Sequence, residues 1–497
     1  MKQVMCAAIG TTGGARAGVL TASLLAHSLG FLVFLGCGGL GVREDASLPP
    51  GETDSTVPAT EAGGTPSGEI GGTPGDEAGG TPSGGEVILL GSPLSFAPTA
   101  HGFGLNAVLA EGSPAVLRAR VRATGTADWG AEVPAASRTA DIAQWIFDGL
   151  APGLRYDYEV LAPDVGGEKT IYAGSAVTQR QPGETFTFAL ITDSHIGSDL
   201  SYTNQGDPHA LEAVSAEVGA ASPDFMVHLG DMLDFHEYGF NDPPPEGSIT
   251  RQAYLNYRTL LGDTLGRTSH FATIGNWEGE NGCYSPEEID RSMEQRLLYL
   301  PGPQPTSYPE GGSPNEDYYA FTWGDALFVV LNVMGYTPTK HLLSIDPGLP
   351  DDWTLGPVQL AWLSSTLANA KSKWRFLLIH HPVGGKAGDD SNSAYGRGGG
   401  QAAYVGEQAT IHQLMLLYGA QIFFYGHDHV FTDMTVDGIH YSDAGNAGAV
   451  WMFDKSITGY TQSWLTYGWT KVTVSPATVN VQFIDKAGDL LYEYALP

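Results

Sequence analysis

The sequence predicts an α/β domain with extra antiparallel strands, preceded by a small β-sandwich. Three observations carry this expectation. From Val87 to Gln181, short segments alternate apolar and polar side chains between Gly- and Pro-marked turns, the pattern of half-buried antiparallel strands. From residue 182 to residue 497, short apolar runs alternate with helix-period segments, as strand–helix–strand units do. Ahead of both lies a Gly/Pro/Thr/Glu-rich tract too poor in large apolar side chains to offset its own ordering entropy. A chain of 497 residues also exceeds what one small core serves, so several domains are expected.

Taken in order, residues 1–37 read as a signal peptide. Lys2 and Arg16 precede an apolar run, Val19 to Leu35, with the length of an export h-region. "FLGC" (Phe34–Cys37) resembles the bacterial lipoprotein box, whose cysteine becomes the lipidated first residue of the mature chain. An ordinary signal peptide or an uncleaved anchor is the alternative, and in each case the bulk of the chain is exported. Residues 38–86 form a disordered linker in which "GGTP" recurs at Gly63, Gly71 and Gly79, a tether holding a soluble head away from the membrane. The expected localisation is the cell envelope, periplasmic or at the cell surface, with the membrane touched only through a lipid anchor.

Residues 87–181 give the sandwich. In "AVLRARVRA", Arg118, Arg120 and Arg122 alternate with Leu117, Ala119 and Val121, and "GLAPGLRYDYEV" repeats the period with Tyr156, Tyr158 and Val160 after a Pro-Gly turn. Residues 182–497 give the α/β half. Its strands are "TFTFALIT", "DFMVHLGD", "HFATIGNWE", "WRFLLIHHP" and "QIFFYGHDH"; "GPVQLAWLSSTLANAK" reads as a helix with Leu360, Leu363 and Leu367 on one face. The closing "KVTVSPATVNVQF" reads as a hairpin, with Val472 and Val474 answering Val479, Val481 and Phe483.

Ligands of open α/β sheets gather at the carboxyl ends of the strands. Here the five ends carry Asp193 and His195, then Asp231 and Asp234, then Asn276, then His380 and His381, then His427 and His429. A lone histidine is more often a satisfied core side chain, but five such ends in succession point to a metal site. Carboxylate, imidazole and amide without thiolate suit Mn, Fe, Zn or Mg, and the donors exceed the roughly four to six that one ion takes. Two ions sharing one carboxylate fit that surplus. Composition agrees. With 24 basic and 55 acidic residues, a net charge of −31 excludes nucleic acid as a partner by long-range electrostatics, and a phosphate-bearing ligand needs a local cation. Cys6, Cys37 and Cys283 cannot make a disulfide framework or a thiolate cluster.

The order D-x-H, G-D-x-x-D, G-N-x-E, H-x-P and G-H-x-H, from Asp193 to His429, resembles the calcineurin-like metallophosphoesterase superfamily. The resemblance implies a two-layered β-sheet core flanked by helices and metal-dependent hydrolysis of phosphate esters. Position by position it implies a first metal on Asp193, His195, Asp231 and His429. The second would take Asp231, Asn276, His380 and His427, with Asp231 bridging. His380 matches the family ligand, which precedes proline by two residues, so His381 falls close to substrate. With the sandwich included, the chain resembles bacterial purple-acid-phosphatase-like proteins with an N-terminal fibronectin III-like domain. It departs from them in having Asp234 at the place of their tyrosine ligand and in keeping His195, so an iron–tyrosinate colour is not expected.

Trp277 stands where the family has a histidine that contacts the phosphate and can protonate the leaving group. Indole N–H is not acidic, so His381 becomes the first candidate for proton donation and Asp428 a second. Trp277 itself either packs the loop or walls the substrate. Arg397, with Tyr395 in the Gly-rich loop after the H-x-P turn, could grip a phosphate oxygen pair. His228, His236 and Glu278 read as supporting or packing residues. The function this supports is an exported two-metal phosphoesterase acting on a small phosphorylated substrate, a monoester ahead of a diester. The rival is a metal-holding surface protein with weak catalysis.

Overall fold

The structure, a computed structural model, describes residues 87–497 except 111–112, 114–115, 136, 140, 202, 204, 236–246, 338–353, 382–406 and 456–459. The signal segment, Cys37, the linker, His236, Tyr395 and Arg397 lie outside the described residues. Among the described residues no helix is long and apolar enough to cross a membrane.

Eight strands come first: β1 (Leu94–Thr99), β2 (Gly102–Val108), β3 (Arg118–Ala123), β4 (Val133–Pro134), β5 (Ser137–Thr139), β6 (Ile142–Phe147), β7 (Arg155–Asp164) and β8 (Gly167–Val177). They form two four-stranded sheets, β1-β2-β6-β5 and β4-β3-β7-β8. Leu105, Trp145, Ala119 and Tyr158 from the two sheets share one buried cluster, so the sheets pack face to face. The arginine alternation read from β3 has a structural reason. Ala119 and Val121 turn inward, while Arg120 and Arg122 meet Glu159 and Asp157, their directly opposite partners on β7.

The second half contains β9 (Phe186–Ile191), α1 (Pro208–Ala221), β10 (Phe225–His228), α2 (Ser248–Leu265), β11 (Ser269–Ala272), α3 (Pro286–Tyr299), β12 (Tyr319–Trp323) and β13 (Ala326–Val330). It continues with α4 (Gly356–Asn369), β14 (Trp374–Leu378), α5 (Glu407–Tyr418), β15 (Ile422–Tyr425), β16 (Phe431–Val436), β17 (Ile439–Ala444), β18 (Gly468–Val474), β19 (Val479–Asp485) and β20 (Leu490–Leu496). Two six-stranded sheets result, ordered β11-β10-β9-β18-β19-β20 and β12-β13-β14-β15-β17-β16. The closing hairpin pairs Val472 with Val481 and Val474 with Val479.

Strand alternation decides what each sheet faces. Phe186, Phe188 and Leu190 of β9 join Phe328, Phe376 and Phe424 between the sheets, where Phe225 lies 5.3 Å from both Phe188 and Phe328. The other face of β9, Ala189 and Ile191, packs under Leu211 and Val214 of α1 and Tyr257 of α2. Leu363 and Leu367 of α4 and Ile411 of α5 cover the second sheet in the same way. The layers therefore run helix, sheet, sheet, helix. Strands β9, β10 and β11 are parallel, as are β14 and β15, so their carboxyl ends open on one edge.

Candidate metal centre

Each of these five strands ends a few residues before a polar cluster, and the backbone between is not extended. Asp193, His195, Asp231, His427 and His429 have φ of +55°, +49°, +52°, +75° and +56°, in the left-handed region that non-glycine residues avoid. Such conformations cost on the order of 1–3 kcal/mol each and gather at functional sites. Their effect is geometric. In D-x-H they aim both flanking side chains into one donor group, in H-x-H they aim them into two adjoining groups, and in each the middle side chain turns away. Ser194 accordingly bonds Met232 O (2.9 Å), and the Asp428 carboxylate accepts from the Tyr460 hydroxyl (2.7 Å).

Two of the motif glycines are required by close approach. A Cβ on Gly275 would lie 2.1 Å from Asp231 Oδ1, and one on Gly426 would lie 2.0 Å from Thr192 Oγ1 and 2.7 Å from Asp193 Oδ2. The chain turns tightly there because the carboxylates occupy the space of a side chain.

The side chains meet in two adjoining groups. Asp193, His195, Asp231 and His429 bring one ligand atom each within 4.8 Å of one another; His380, His381 and His427 do the same. Asp231 Oδ2 lies between the groups, 3.5 Å from His195 Nε2 and 3.1 Å from His380 Nε2. His429 Nε2 lies 3.4 Å from Asp193 Oδ1. The Asn276 amide adjoins the second group, 3.1 Å from His380 Nε2. All these residues except Asn276 are buried.

For most of them one polar atom is held by the protein while another faces inward. Asp193 Oδ2 accepts from Thr192 Oγ1 (2.7 Å) and from the His427 N–H (2.9 Å), which leaves Oδ1 inward. Asp231 Oδ1 accepts from the Trp277 N–H (2.9 Å), which leaves Oδ2 inward. His380 Nδ1 donates to Leu229 O (2.8 Å), and His429 Nδ1 donates to Trp451 O. Asp193 Oδ1 and both ring nitrogens of His195 are buried without a hydrogen-bond partner among the described residues. Inward oxygen and nitrogen atoms with their outer atoms tethered are what a bound cation requires, and this set, without thiolate, fits Mn, Fe, Zn or Mg.

Electrostatics tie the groups together. Burial pushes the Asp231 carboxyl up, but His380 and His195 beside it more than reverse this and hold it well below the usual carboxylate range. Asp193 is likewise raised by burial and lowered overall, chiefly by His429. Burial alone would lower His195 and His380, yet the carboxylates beside them bring the two up to about 10 and about 9.

Glu278, the acid of G-N-x-E, supports the loop. Its carboxylate accepts four backbone N–H groups, from Asp231 (3.1 Å), Met232 (2.5 Å), Leu233 (3.2 Å) and Gly275 (2.5 Å). It thus fixes the chain that carries Asp231 to the chain that carries Asn276. Glu278→Gln would turn an NH2 toward one pair of these donors. The expected result is a loss of about 2–4 kcal/mol of stability with metal affinity down about 10–100-fold, read by urea denaturation and by metal retained after gel filtration.

The other candidates fall as follows. Trp277 is 8% exposed, with its ring 4.9 Å from that of His195, so the indole packs against a site residue. His381 is buried and stacked on His427 at 3.9 Å. Asp234 is buried in the same turn but in neither group. His228 meets Ser194 Oγ at 3.0 Å and packs on Tyr257. Sequence reading missed Thr192, whose hydroxyl beside a ligand carboxylate was the available signal. It also missed the loop Asn446–Ala449, which takes backbone bonds from Ala447 N to Thr192 O and from Ala449 N to Asp193 O. The "GNAG" string was the clue there, since a Cβ on Gly448 would lie 2.6 Å from Ser194 O.

The fold and site define a helix–sheet–sheet–helix protein with a buried Asp/His centre able to hold metal. Residues 186–431 match the calcineurin-like phosphoesterase family, so the chain carries a calcineurin-like phosphoesterase domain over this segment. The chain is similar in fold to the solved structure of PhoD, with a TM-score of 0.60 at 15% identity over 82% of this chain and 89% of that one. GAP50, the anchor in the inner membrane complex of Plasmodium, aligns at a TM-score of 0.40 and 15% identity over 63% of this chain and 88% of that one. No curated protein sequence matches the chain.

Proposed function

We propose that the protein is an exported phosphoesterase, anchored through lipid on Cys37, that hydrolyses small phosphate monoesters with two metal ions held at the strand ends. The observation that carries this reading is Asp231, whose Oδ2 faces His195 of one donor group and His380 of the other. When bound, the ions would supply Lewis acidity toward a phosphoryl oxygen and lower the pKa of water from about 16 towards 7. The chain orients this chemistry. Asp231 ties the two positions together, Asn276 adds an oxygen without adding charge, and the buried imidazoles fix the geometry. His381 is the proton donor to the departing alkoxide in this reading. The net charge of −31 disfavours nucleic acid and anionic surfaces, so the partners are small phosphorylated molecules. Export and a leading β-sandwich favour scavenging of phosphate from monoesters, with diesters as the alternative substrate of the same chemistry.

The test strips the purified protein of metal, reloads it separately with Mn, Zn, Fe or Mg, and follows hydrolysis of aryl mono- and diesters. Metal-dependent turnover supports the reading, and the ratio of the two rates chooses the ester class. His381→Ala is expected to lower kcat about 10²–10⁴-fold on alkyl monoesters, and much less on aryl esters whose leaving group needs no proton. Equal losses on both would remove His381 as the acid. Trp277 favours a second reading, a metal-holding surface protein of weak catalysis. Metal bound with no ester cleaved would select it.

A further inference from the structure

Asn276 and Trp277 are sequence neighbours whose side chains also meet, and the meeting sets two demands against each other. The inner end of the Asn276 amide faces Asp231 Oδ2 (3.3 Å), His427 Nδ1 (3.0 Å) and His380 Nε2 (3.1 Å), while its outer end lies 2.9 Å from Trp277 Nε1. An amide carries an acceptor at one end and a donor at the other. With its NH2 inward the group's two protons reach Asp231 Oδ2 and His427 Nδ1, and its oxygen accepts from the indole N–H. A cation at the inner end requires the opposite orientation, because an amide ligates through oxygen. The NH2 then faces the indole N–H, donor against donor.

The indole cannot step aside cheaply. Its side chain is 8% exposed with its ring 4.9 Å from His195, and its backbone N–H is committed to Asp231 Oδ1 at 2.9 Å. We propose that Trp277 is a positioning residue that holds the Asn276 amide turned away from the metal position. The Asn276–His380–His427 position then fills after, and more weakly than, the Asp193–His195–Asp231–His429 position. This rests on the metal-binding reading given above, and adds that the indole makes the two positions unequal.

Calorimetric titration of metal-free protein with Mn²⁺ tests it without reference to activity. The wild type should show two binding events of different affinity. Trp277→Phe keeps an aromatic ring and removes the N–H, and should tighten the second event about tenfold, the worth of one net hydrogen bond. Asn276→Asp supplies the control, because a carboxylate offers oxygen to the cation and to the indole at once. On that background Trp277→Phe should leave the second event unchanged, whereas a merely structural role would shift it equally on both backgrounds. Should Trp277→Phe fail to fold by circular dichroism, Trp277→Met makes the same comparison. An unchanged second event in the single variant, or the same shift on both backgrounds, overturns the proposal while leaving the metal reading intact. Absence of any Mn²⁺ binding by the wild type would overturn both.

Discussion

Asp231→Asn is expected to bring ester hydrolysis down about 10²–10³-fold, the range lost when a group stabilising the transition state is removed, and to weaken both metal positions together. The substitution keeps the shape of the side chain, so its effect isolates charge and lone pairs. Asp231 uses both oxygens: Oδ1 accepts from the Trp277 N–H at 2.9 Å, and Oδ2 faces His195 at 3.5 Å and His380 at 3.1 Å. An amide must place its NH2 at one of these sites. Outward, it confronts the Trp277 N–H; inward, it turns two donor protons toward the place where cations would sit. Neither orientation keeps both contacts, and the negative charge is lost in each. Asp193→Asn is the informative comparison, because Asp193 belongs to the first group alone. Metal content after gel filtration should fall at both positions for Asp231→Asn and at one for Asp193→Asn. If Asp231→Asn retained one metal as tightly as the wild type, Asp231 would not be the shared ligand.

The contrast between Asp231 and Glu278 marks where the sequence stops being legible. The strands and the polar clusters at their ends could be read because hydrophobic period and residue type are local properties: "FMVHLGD" announces both a buried strand and a carboxylate. The helix-facing and sheet-facing sides of β9 follow from the same alternation. Glu278 was only a supporting acid in sequence, since nothing in "GNWEG" says that its carboxylate collects four N–H groups from two loops. The five left-handed residues were hidden for a related reason. Positive φ is uncommon for any non-glycine residue, and although Asp and His tolerate it better than most, nothing local in the sequence requires it; the tertiary contacts of Thr192, Glu278 and the Asn446–Ala449 loop help hold the chain there. Trp277 shows a third limit. Its identity revealed that the usual proton donor is missing, but only the packed structure sets its N–H against Asn276.

Arg258→Met is expected to cost about 2–4 kcal/mol of stability, because buried neutral oxygens lose their donors. No local pattern singles out this residue, which lies in α2 within "YLNYRTLL". Its guanidinium is wholly buried, and its hydrogen bonds all go to neutral oxygens: Asn106 Oδ1 (2.6 Å), Asn106 O (2.9 Å), Ser92 O (3.0 Å) and Tyr299 O (2.8 Å). Ser92 and Asn106 belong to the amino-terminal β-rich part, Asn106 on β2, while Tyr299 closes α3. One cation thus pins the leading sheets to the helices that cover the first core sheet, and Asn106 Nδ2 adds a bond to Leu298 O at 3.0 Å. Burial is unfavourable to the charge and lowers the Arg258 pKa to about 10. Relief of that strain works for the methionine variant. Against it stand four oxygens that would lose their donors in a place closed to water, at about 1–3 kcal/mol for each left unsatisfied, so the loss wins. Lysine at the same position keeps the charge but reaches as a single point rather than a fork, and should recover only part of the stability. Urea denaturation of the three proteins, with hydrogen exchange at Asn106 and Leu298 reporting whether the junction opens before the core, measures both effects. A change below about 1 kcal/mol for Arg258→Met would mean that the desolvation of the guanidinium had balanced its hydrogen bonds, and the junction would then owe its stability to the apolar contacts around it.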